Sequence, residues 1–386
     1  MRRVYMDANA TTPLVPEVFE AMRPYYLERF GNASSIHQAG QQARAAVDHA
    51  RESVAALIGA RSSEVVFTSG GTESDNLALF GNLRGGDHLV ISAIEHSAVL
   101  HAAQELEKRG VKVTYVGCDG ASRISADAVQ AAIRPNTKLV SIMLANNETG
   151  VLQPVAEFAE IAHKHGALFH TDAVQAAGKV PINVAALDCD LLSVSAHKIH
   201  GPQGVGALYV RRNVRVAPLF YGGTHERQRR AGTENVPGIV GFGKAAELAQ
   251  EWMAGGGALA LAAERDRLET GILVAVAETG VNGAGAERVA NTTNLYFDHV
   301  EAEALLIALD LKGLAVSGGS ACQSGAKEPS HVLLAMGLTP ARARASLRFS
   351  LSRLTMKDDV DFALEVVPAA VARLRELSPS FKAVAQ

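Results

Sequence analysis

Lys198 closes the run Ser195-Ala196-His197-Lys198, and Asp172 closes Phe169-His170-Thr171-Asp172. Each follows a short apolar stretch of the kind that forms a buried strand. Far downstream a thiol, Cys322, lies in Ser317-Gly318-Gly319-Ser320-Ala321-Cys322. A partly desolvated lysine has a lowered pKa and can form a Schiff base with an aldehyde. Pyridoxal phosphate is the commonest such aldehyde. It also needs a carboxylate against its pyridine nitrogen, so that the ring can act as an electron sink, and Asp172 is the candidate. A lone lysine after a strand is more often a surface residue. Ser195, His197 and the strand ending in Asp172 tip the reading toward covalent chemistry on a bound cofactor.

Other strand ends carry further candidates. Ser69-Gly70-Gly71-Thr72-Glu73 follows an apolar run and opens a helical one. Glycines let a backbone approach an anion, and a helix N-terminus supplies free N–H groups, so a phosphate is expected near Gly71 and Thr72. Taken alone, the same string is equally a plain strand-to-helix turn. His96 could stack on a planar ring and shuttle protons. Asn147, in Asn146-Asn147-Glu148, could bond a ring hydroxyl or the substrate. Arg348 offers a guanidinium fork to a carboxylate. Each of these three is unremarkable by itself. Cys322 sits among small, polar residues, which favours an exposed and reactive thiol over a packed one. Cys118 and Cys189 have apolar or strand-end settings and read as inert. Gly241-Phe242-Gly243-Lys244-Ala245-Ala246 matches a dinucleotide fingerprint as a string. It lies outside the main strand–helix alternation and lacks the acidic residue about 20 positions on, so it reads as helix packing.

These residues need a scaffold. The 386-residue chain is 48% hydrophobic and 20% charged, an ordinary balance for a globular enzyme. A net charge of −3 gives no general attraction to nucleic acid or anionic lipid, and no apolar run is long enough to span a membrane. Met1-Arg2-Arg3-Val4-Tyr5-Met6-Asp7 has no apolar core and does not read as a signal peptide. Three widely spaced cysteines suggest a reducing cytoplasm and no intrinsic metal site. Strands are expected at Glu64–Thr68, His88–Ser92, Val111–Val116, Lys138–Leu144, Ala167–Thr171, Leu191–Ser195 and Gly206–Val210. Helices are expected between them, including one from Ser125, a candidate N-cap, to Ile133. This is a doubly wound, mainly parallel α/β layout. A composition shift near Gly255-Gly256-Gly257 marks a boundary. Beyond it, strands are expected at Thr292–Phe297, at Ala315-Val316-Ser317 and in Arg342–Ser350, and a last helix from about Met356 to Leu377.

Taken together, the chain resembles the pyridoxal-phosphate cysteine desulfurases. The resemblance rests on Ser69-Gly70-Gly71-Thr72-Glu73-Ser74-Asp75-Asn76, Glu95-His96, Asn146-Asn147-Glu148, Asp172 with Gln175, and Ser195-Ala196-His197-Lys198. Gly222-Gly223-Thr224-His225-Glu226-Arg227, Arg230-Ala231-Gly232-Thr233, Ser320-Ala321-Cys322 and Glu328-Pro329-Ser330-His331 add to it. It runs from Tyr5 to Pro379, and the Cys322 segment matches the longer-loop class that serves nitrogen fixation and iron–sulfur assembly. It implies the type I, aspartate aminotransferase-like fold, with a large cofactor-binding domain at 13–255. A smaller α/β domain at 1–12 and 256–386 would carry the Cys322 loop. Lys198 would hold the cofactor, Asp172 would pair with its ring nitrogen, His96 would stack on the ring, and Gln175 would meet the phenolic oxygen. Gly71, Thr72, Ser195 and His197 would bind the phosphate, and Thr233 would reach it from the other subunit of a homodimer. Asn147 and Arg348 would hold the carboxylate of L-cysteine. Lys198 would take the α-proton and Cys322 the sulfur, releasing alanine and leaving a persulfide for an acceptor or iron–sulfur scaffold protein. Cys322 is also a candidate transient iron–sulfur ligand.

Gly318, Thr224 and Val174 depart from the family's usual serine, glycine and threonine, and the chain ends soon after Pro379. The sulfur acceptor stays open between iron–sulfur assembly, thio-cofactor synthesis and tRNA thiolation. A selenocysteine lyase or a class V aminotransferase is the rival enzyme reading, and the aminotransferase has no use for Cys322. A carrier that keeps only the fold has no use for Lys198 and Asp172.

Overall fold

Seven strands form the larger sheet of the computed structural model, which describes residues 2–318 and 329–377. In spatial order they are Val65–Thr68, Gly206–Val210, Leu191–Ser195, Leu168–Asp172, Thr137–Ser141, His88–Ser92 and Lys112–Val116. Gly206–Val210 runs antiparallel to both neighbours, and the other pairings are parallel. The strand residues alternate between two cores. Val65, Phe67, Val90, Val140 and Val194 face one, and Val66, Leu89, Ile91, Leu139 and Leu191 face the other. Successive side chains point to opposite faces of a strand, so a sheet covered on both sides demands apolar residues at nearly every position. The expected doubly wound, mainly parallel architecture is what the chain adopts.

A second sheet holds Ser317–Gly318, Ser346–Ser350, Thr292–Phe297 and Thr279–Val281 in that order, all antiparallel. With the helices Gly257–Ala275, Ala302–Lys312 and Lys357–Leu377 it buries a separate core around Leu268, Phe297, Leu309, Phe349 and Val367. Among the described residues no helix is long and apolar enough to cross a membrane.

Three local readings change. Ala315-Val316-Ser317 is not one strand. Leu314–Ala315 pairs in parallel with Val4–Tyr5, while Ser317–Gly318 pairs with Ser346–Ser350, so the chain switches partners at Val316. The strand expected to reach Leu144 ends at Ser141, although Ile142 and Leu144 still donate N–H bonds to His170 and Asp172 carbonyls. Ser125 occupies the N-cap of Ala126–Ala132, but its side chain makes no capping bond. The glycine string at 241–243 does what helix packing requires. It lies in Val236–Ala254, where a Cβ on Gly243 would stand 2.6 Å from Ala50 Cα of the helix Gln38–Ile58.

The sheet needs a finish at its edge. Val65–Thr68 is the terminal strand, and its outward groups are met by an ion pair. Arg51 Nη1 donates to Val65 O at 3.0 Å, and Phe67 N donates to Glu226 Oε2 at 3.0 Å. The two side chains close on each other with a fork of 2.7 and 2.8 Å, almost wholly buried, and the guanidinium lies over the Phe67 ring. This leaves no open ladder at the edge. Glu226 itself sits at φ 46°, a left-handed conformation that a side chain accepts only under constraint. Removing one member of a buried pair strands the other. Glu226→Ala should therefore lower the unfolding free energy by roughly 3–5 kcal/mol, read from urea unfolding. A loss below about 1 kcal/mol, the scale of a surface pair, would contradict the clamp.

Candidate active site

Thr68, Ser92, Ser141, Asp172 and Ser195 end their strands on the same edge of the large sheet. Ligands in open α/β sheets bind outside such carboxyl ends. A cavity of about 480 Å³ lies there, within the range of small-ligand sites. Gly71, Thr72, Ser195 and His197 line one part of it. Asp172, Gln175, His96 and Lys198 line another, and Asn147 and Arg348 close it. Thr233 is exposed and does not line this chain's cavity. Cys322 lies outside the described residues. A second cavity of about 30 Å³ behind Lys198, between Trp252 and Arg353, has room for a water or two. The first of the two has room for a small ligand.

Lys198 ends a short 3₁₀ turn, Ala196–Lys198, after Leu191–Ser195. Its Nζ donates to Asn9 O at 2.6 Å and Ala10 O at 2.7 Å. Those carbonyls arrive from the small sheet. Asp7 bridges to Ser350, and the chain then crosses to the large sheet, where Thr12 N donates to His197 O at 2.9 Å. Asn9 also takes Gln175 Nε2 on its carbonyl at 2.9 Å and gives its own Nδ2 to Asn147 O and Thr292 Oγ1. Asn9 is the residue that sequence reading missed. The only signal was its place between two polar runs near the N-terminus, which says nothing about the lysine it meets.

Asp172 is buried at a strand end, and burial pushes its carboxyl up to about 6. The Val174 N–H, at 2.8 Å from Oδ1, and the Lys198 charge work against that rise. Asp75 lines the same cavity. Burial and then the Asp172 charge hold it well above the usual carboxylate range, and its buried Oδ1 has no hydrogen-bond partner, with His170 Nε2 3.7 Å away. His170, packed beneath, is kept neutral by burial, which lowers it to about 3. Its ring bonds Ser141 Oγ at 2.8 Å and Ser193 Oγ at 3.0 Å. Glu148, on the cavity wall, rises to about 7 through burial, with Ser330 Oγ bonded to it at 2.5 Å.

The helix Gly71–Phe80 begins at the cavity. Its first-turn N–H groups have no acceptor within the helix and carry the positive end of its dipole. Ser195 Oγ, buried and without a partner, lines the same space. Gly71 must lack a side chain, since a Cβ would stand 2.8 Å from Val174 Cγ2. His197 borders this end, its Nδ1 against Thr11 Oγ1 at 3.1 Å, and burial followed by Lys198 lowers it to about 4.

His96 caps the helix Ser97–Lys108, its Nδ1 accepting from Ala98 N at 3.2 Å. Burial, then Lys198, lowers it to about 4, so the ring is neutral and carries its proton on Nε2. Arg348 donates through Nη1 to Asn147 O and through Nη2 to Asp7 Oδ1, each at 2.8 Å. Its Nε and Asn147 Oδ1 are buried and unpartnered. The two other described thiols stand apart from the cavity. Burial raises Cys118 to about 11 and Cys189 to about 12, so both keep their protons near neutrality.

The aminotransferase class-V family profile matches residues 4–362. A "Cysteine desulfurase IscS" of Methanosarcina thermophila is 50% identical over 382 residues, covering 98% of this chain and 94% of that one. Among solved structures, a "NIFS-LIKE PROTEIN" superposes with a TM-score of 0.89 at 36% identity, over 96% of this chain and 100% of the other. The structure "SspA in complex with cysteine" gives a TM-score of 0.80 at 36% identity, over 92% and 100%.

The buried acids make a pH dependence. Burial pushes Glu95 from its ordinary 4.5 up to about 8; Ser92 and the Met143 N–H lower it, and Asp172 adds to the rise. Between those values the folded chain keeps a proton that the unfolded chain has released. The stabilisation is therefore full at low pH and is lost as pH climbs through about 8. Cofactor-free protein should melt at a lower temperature near pH 8 than near pH 5, and Glu95→Gln should shrink that difference. Equal pH dependence in the variant and the parent would count against a protonated Glu95.

Proposed function

The chain belongs to the aminotransferase class-V family, and we infer that it is a cysteine desulfurase, using pyridoxal 5′-phosphate to take sulfur from L-cysteine and release L-alanine. The observation that carries this is the convergence of Lys198, Asp172 and the start of the helix Gly71–Phe80 on one ligand-sized cavity. The cavity fits the cofactor. The unpartnered Ser195 Oγ beside a helix N-terminus suits a phosphate. Asp172, a carboxyl poised at about 6, can pair with a ring nitrogen. When bound, the cofactor supplies an aldehyde for Lys198 and a ring that stores the charge left when the substrate's α-proton departs.

We assign the residues as follows. Lys198 Nζ holds the aldehyde and then takes the α-proton. Asp172 keeps the ring nitrogen protonated. His96 gives a neutral face to the ring, and Gln175 donates to the phenolic oxygen. Gly71, Thr72, Ser195 and His197 hold the phosphate. Arg348 keeps unused N–H groups beside its bonds to Asp7 and Asn147, and with Asn147 it orients the substrate carboxylate. The Cys322 thiolate forms a bond to the substrate sulfur while the C–S bond breaks. The β-carbon keeps that electron pair and takes a proton to become the methyl, and Lys198 returns a proton to the α-carbon, completing alanine. The high thiol pKa values of Cys118 and Cys189 support this choice. The core around Leu268, Phe297 and Phe349 supports a division into 13–255 and 1–12 with 256–386, while Val289, Val332, Leu333, Met336 and Ala343 of the second part pack into the core of the first. The persulfide would pass to a sulfur acceptor, such as an iron–sulfur scaffold or a thiolation partner. The free thiols of Cys118 and Cys189 suit a cytoplasmic setting.

Two tests follow. Incubation with L-cysteine should yield alanine and a sulfur adduct on Cys322 by mass spectrometry. Cys322→Ser should bind cofactor and substrate yet release no alanine beyond background, Lys198→Ala should do neither, and Cys118→Ser and Cys189→Ser should keep most activity. An adduct on Cys118 or Cys189, with Cys322 unmodified, would sink the assignment. The second test concerns Thr233. We assign it, exposed in this chain, to the phosphate site of a second subunit, so the protein should sediment as a dimer at micromolar concentration. A fully active monomer would refute that placement.

A further inference from the structure

Lys179 is a buried amine that the desulfurase reaction leaves unused. It is 7% exposed, and its Nζ donates to Gln175 Oε1 at 2.9 Å and to Asn9 Oδ1 at 3.2 Å. Burial, then the charges of Lys198 and Arg348, hold it well below the ordinary lysine range. Charged or neutral, a lysine amine donates N–H bonds, and an amide oxygen can only accept them. Lys179 therefore settles which way the Gln175 amide faces. Its oxygen is held back from the cavity. Its Nε2 gives one N–H to Asn9 O at 2.9 Å and keeps a second, and Gln175 lines the cavity. Asn9 O alone is a single point of attachment, about which the amide can turn. Lys179 supplies the second point, and without it Oε1 would be buried with no donor, an arrangement that side chains escape by rotating.

We propose that Lys179 is a positioning residue that acts through Gln175, turning its second N–H toward the cofactor's phenolic oxygen. This rests on the cofactor reading of the cavity. A donor on that oxygen favours its anion, so the nitrogen linking Lys198 to the cofactor loses its proton at a lower pH. Other groups bear on the same nitrogen. Asp172 lies on the neighbouring strand, and His96 and His197 flank Lys198. Arg348, paired with Asp7, comes from the small sheet, and His200 and Arg353 lie on the far side with the small cavity. Lys179 donates to Gln175 Oε1, so a Lys179 perturbation that vanishes when Gln175 is removed acts through that amide.

The test is a pH titration of the visible absorbance of protein loaded with pyridoxal phosphate. Lys179→Met should raise the midpoint by about one unit, the scale of one lost charge-assisted hydrogen bond. Gln175→Ala should raise it similarly, and the double variant should match Gln175→Ala alone. Lys179→Arg keeps a donor-only head group of similar reach and should hold the parent midpoint within about 0.3 unit. An unmoved midpoint in a loaded Lys179→Met protein overturns the proposal, as do shifts that simply add in the double variant. If Lys179→Met does not fold, Lys179→Arg carries the test, and a shifted midpoint there also overturns it. Failure of the cofactor reading looks different: the parent would then gain no visible band with pyridoxal phosphate.

Discussion

The paired hydrogen bonds from Lys198 Nζ to the carbonyls of Asn9 and Ala10 join the two halves of the molecule at the edge of the cavity. Lys198 belongs to the large sheet. Asn9 arrives from the small one, two residues after Asp7 bridges to Ser350. An amine buried near a sheet edge needs acceptors, and main-chain carbonyls provide them without adding a charge. The same segment then positions Gln175 and Asn147. A shift of Asn9 would therefore disturb Lys198, Gln175 and Asn147 together.

Desolvation sets the electrostatics around this point. Asp172, Glu95, Glu148 and Asp75 are all raised by burial, and His96, His197 and His170 are all lowered by it. The cavity thus limits its ionised groups at neutral pH, and the charges that persist are placed. Arg348 has Asp7 against it. A ligand that brings a phosphate, a ring nitrogen and a carboxylate supplies counter-charges that the protein leaves room for. Burial is costly for an ion without a partner, and a charged cofactor relieves that cost.

Much of this was legible from one strand at a time. The runs ending in Asp172 and Ser195 announce themselves because a fully covered parallel strand is apolar throughout, and a polar residue at its end is conspicuous. The strand-to-helix turn at Gly71 was visible for the same reason. What escaped was whatever depends on distant parts of the chain. Val316 looked like the middle of a strand, and only the sheet geometry shows the chain changing partners there. Asn9 carries no local pattern, since its contacts reach residues far along the sequence, and Lys179, only four residues from Gln175, is fixed against it by that same distant Asn9. The Arg51–Glu226 clamp is equally silent in sequence, because each partner alone reads as a surface charge. Cys322 was read from its neighbours alone and lies outside the described residues.

The one reversed strand has a consequence for the living chain. Val65–Thr68 reaches the rest of the sheet only through Gly206–Val210. Ribosomes add about 5–20 residues per second, so an apolar strand made early must wait on the order of ten seconds for its neighbour. The cavity waits longer still, because Arg348 and the Ser350 that meets Asp7 belong to one of the last strands to emerge. A nascent chain can therefore build most of its large sheet before Arg348 is there to close the cavity. The order in which the sheet is written thus leaves one wall of the cavity until near the end.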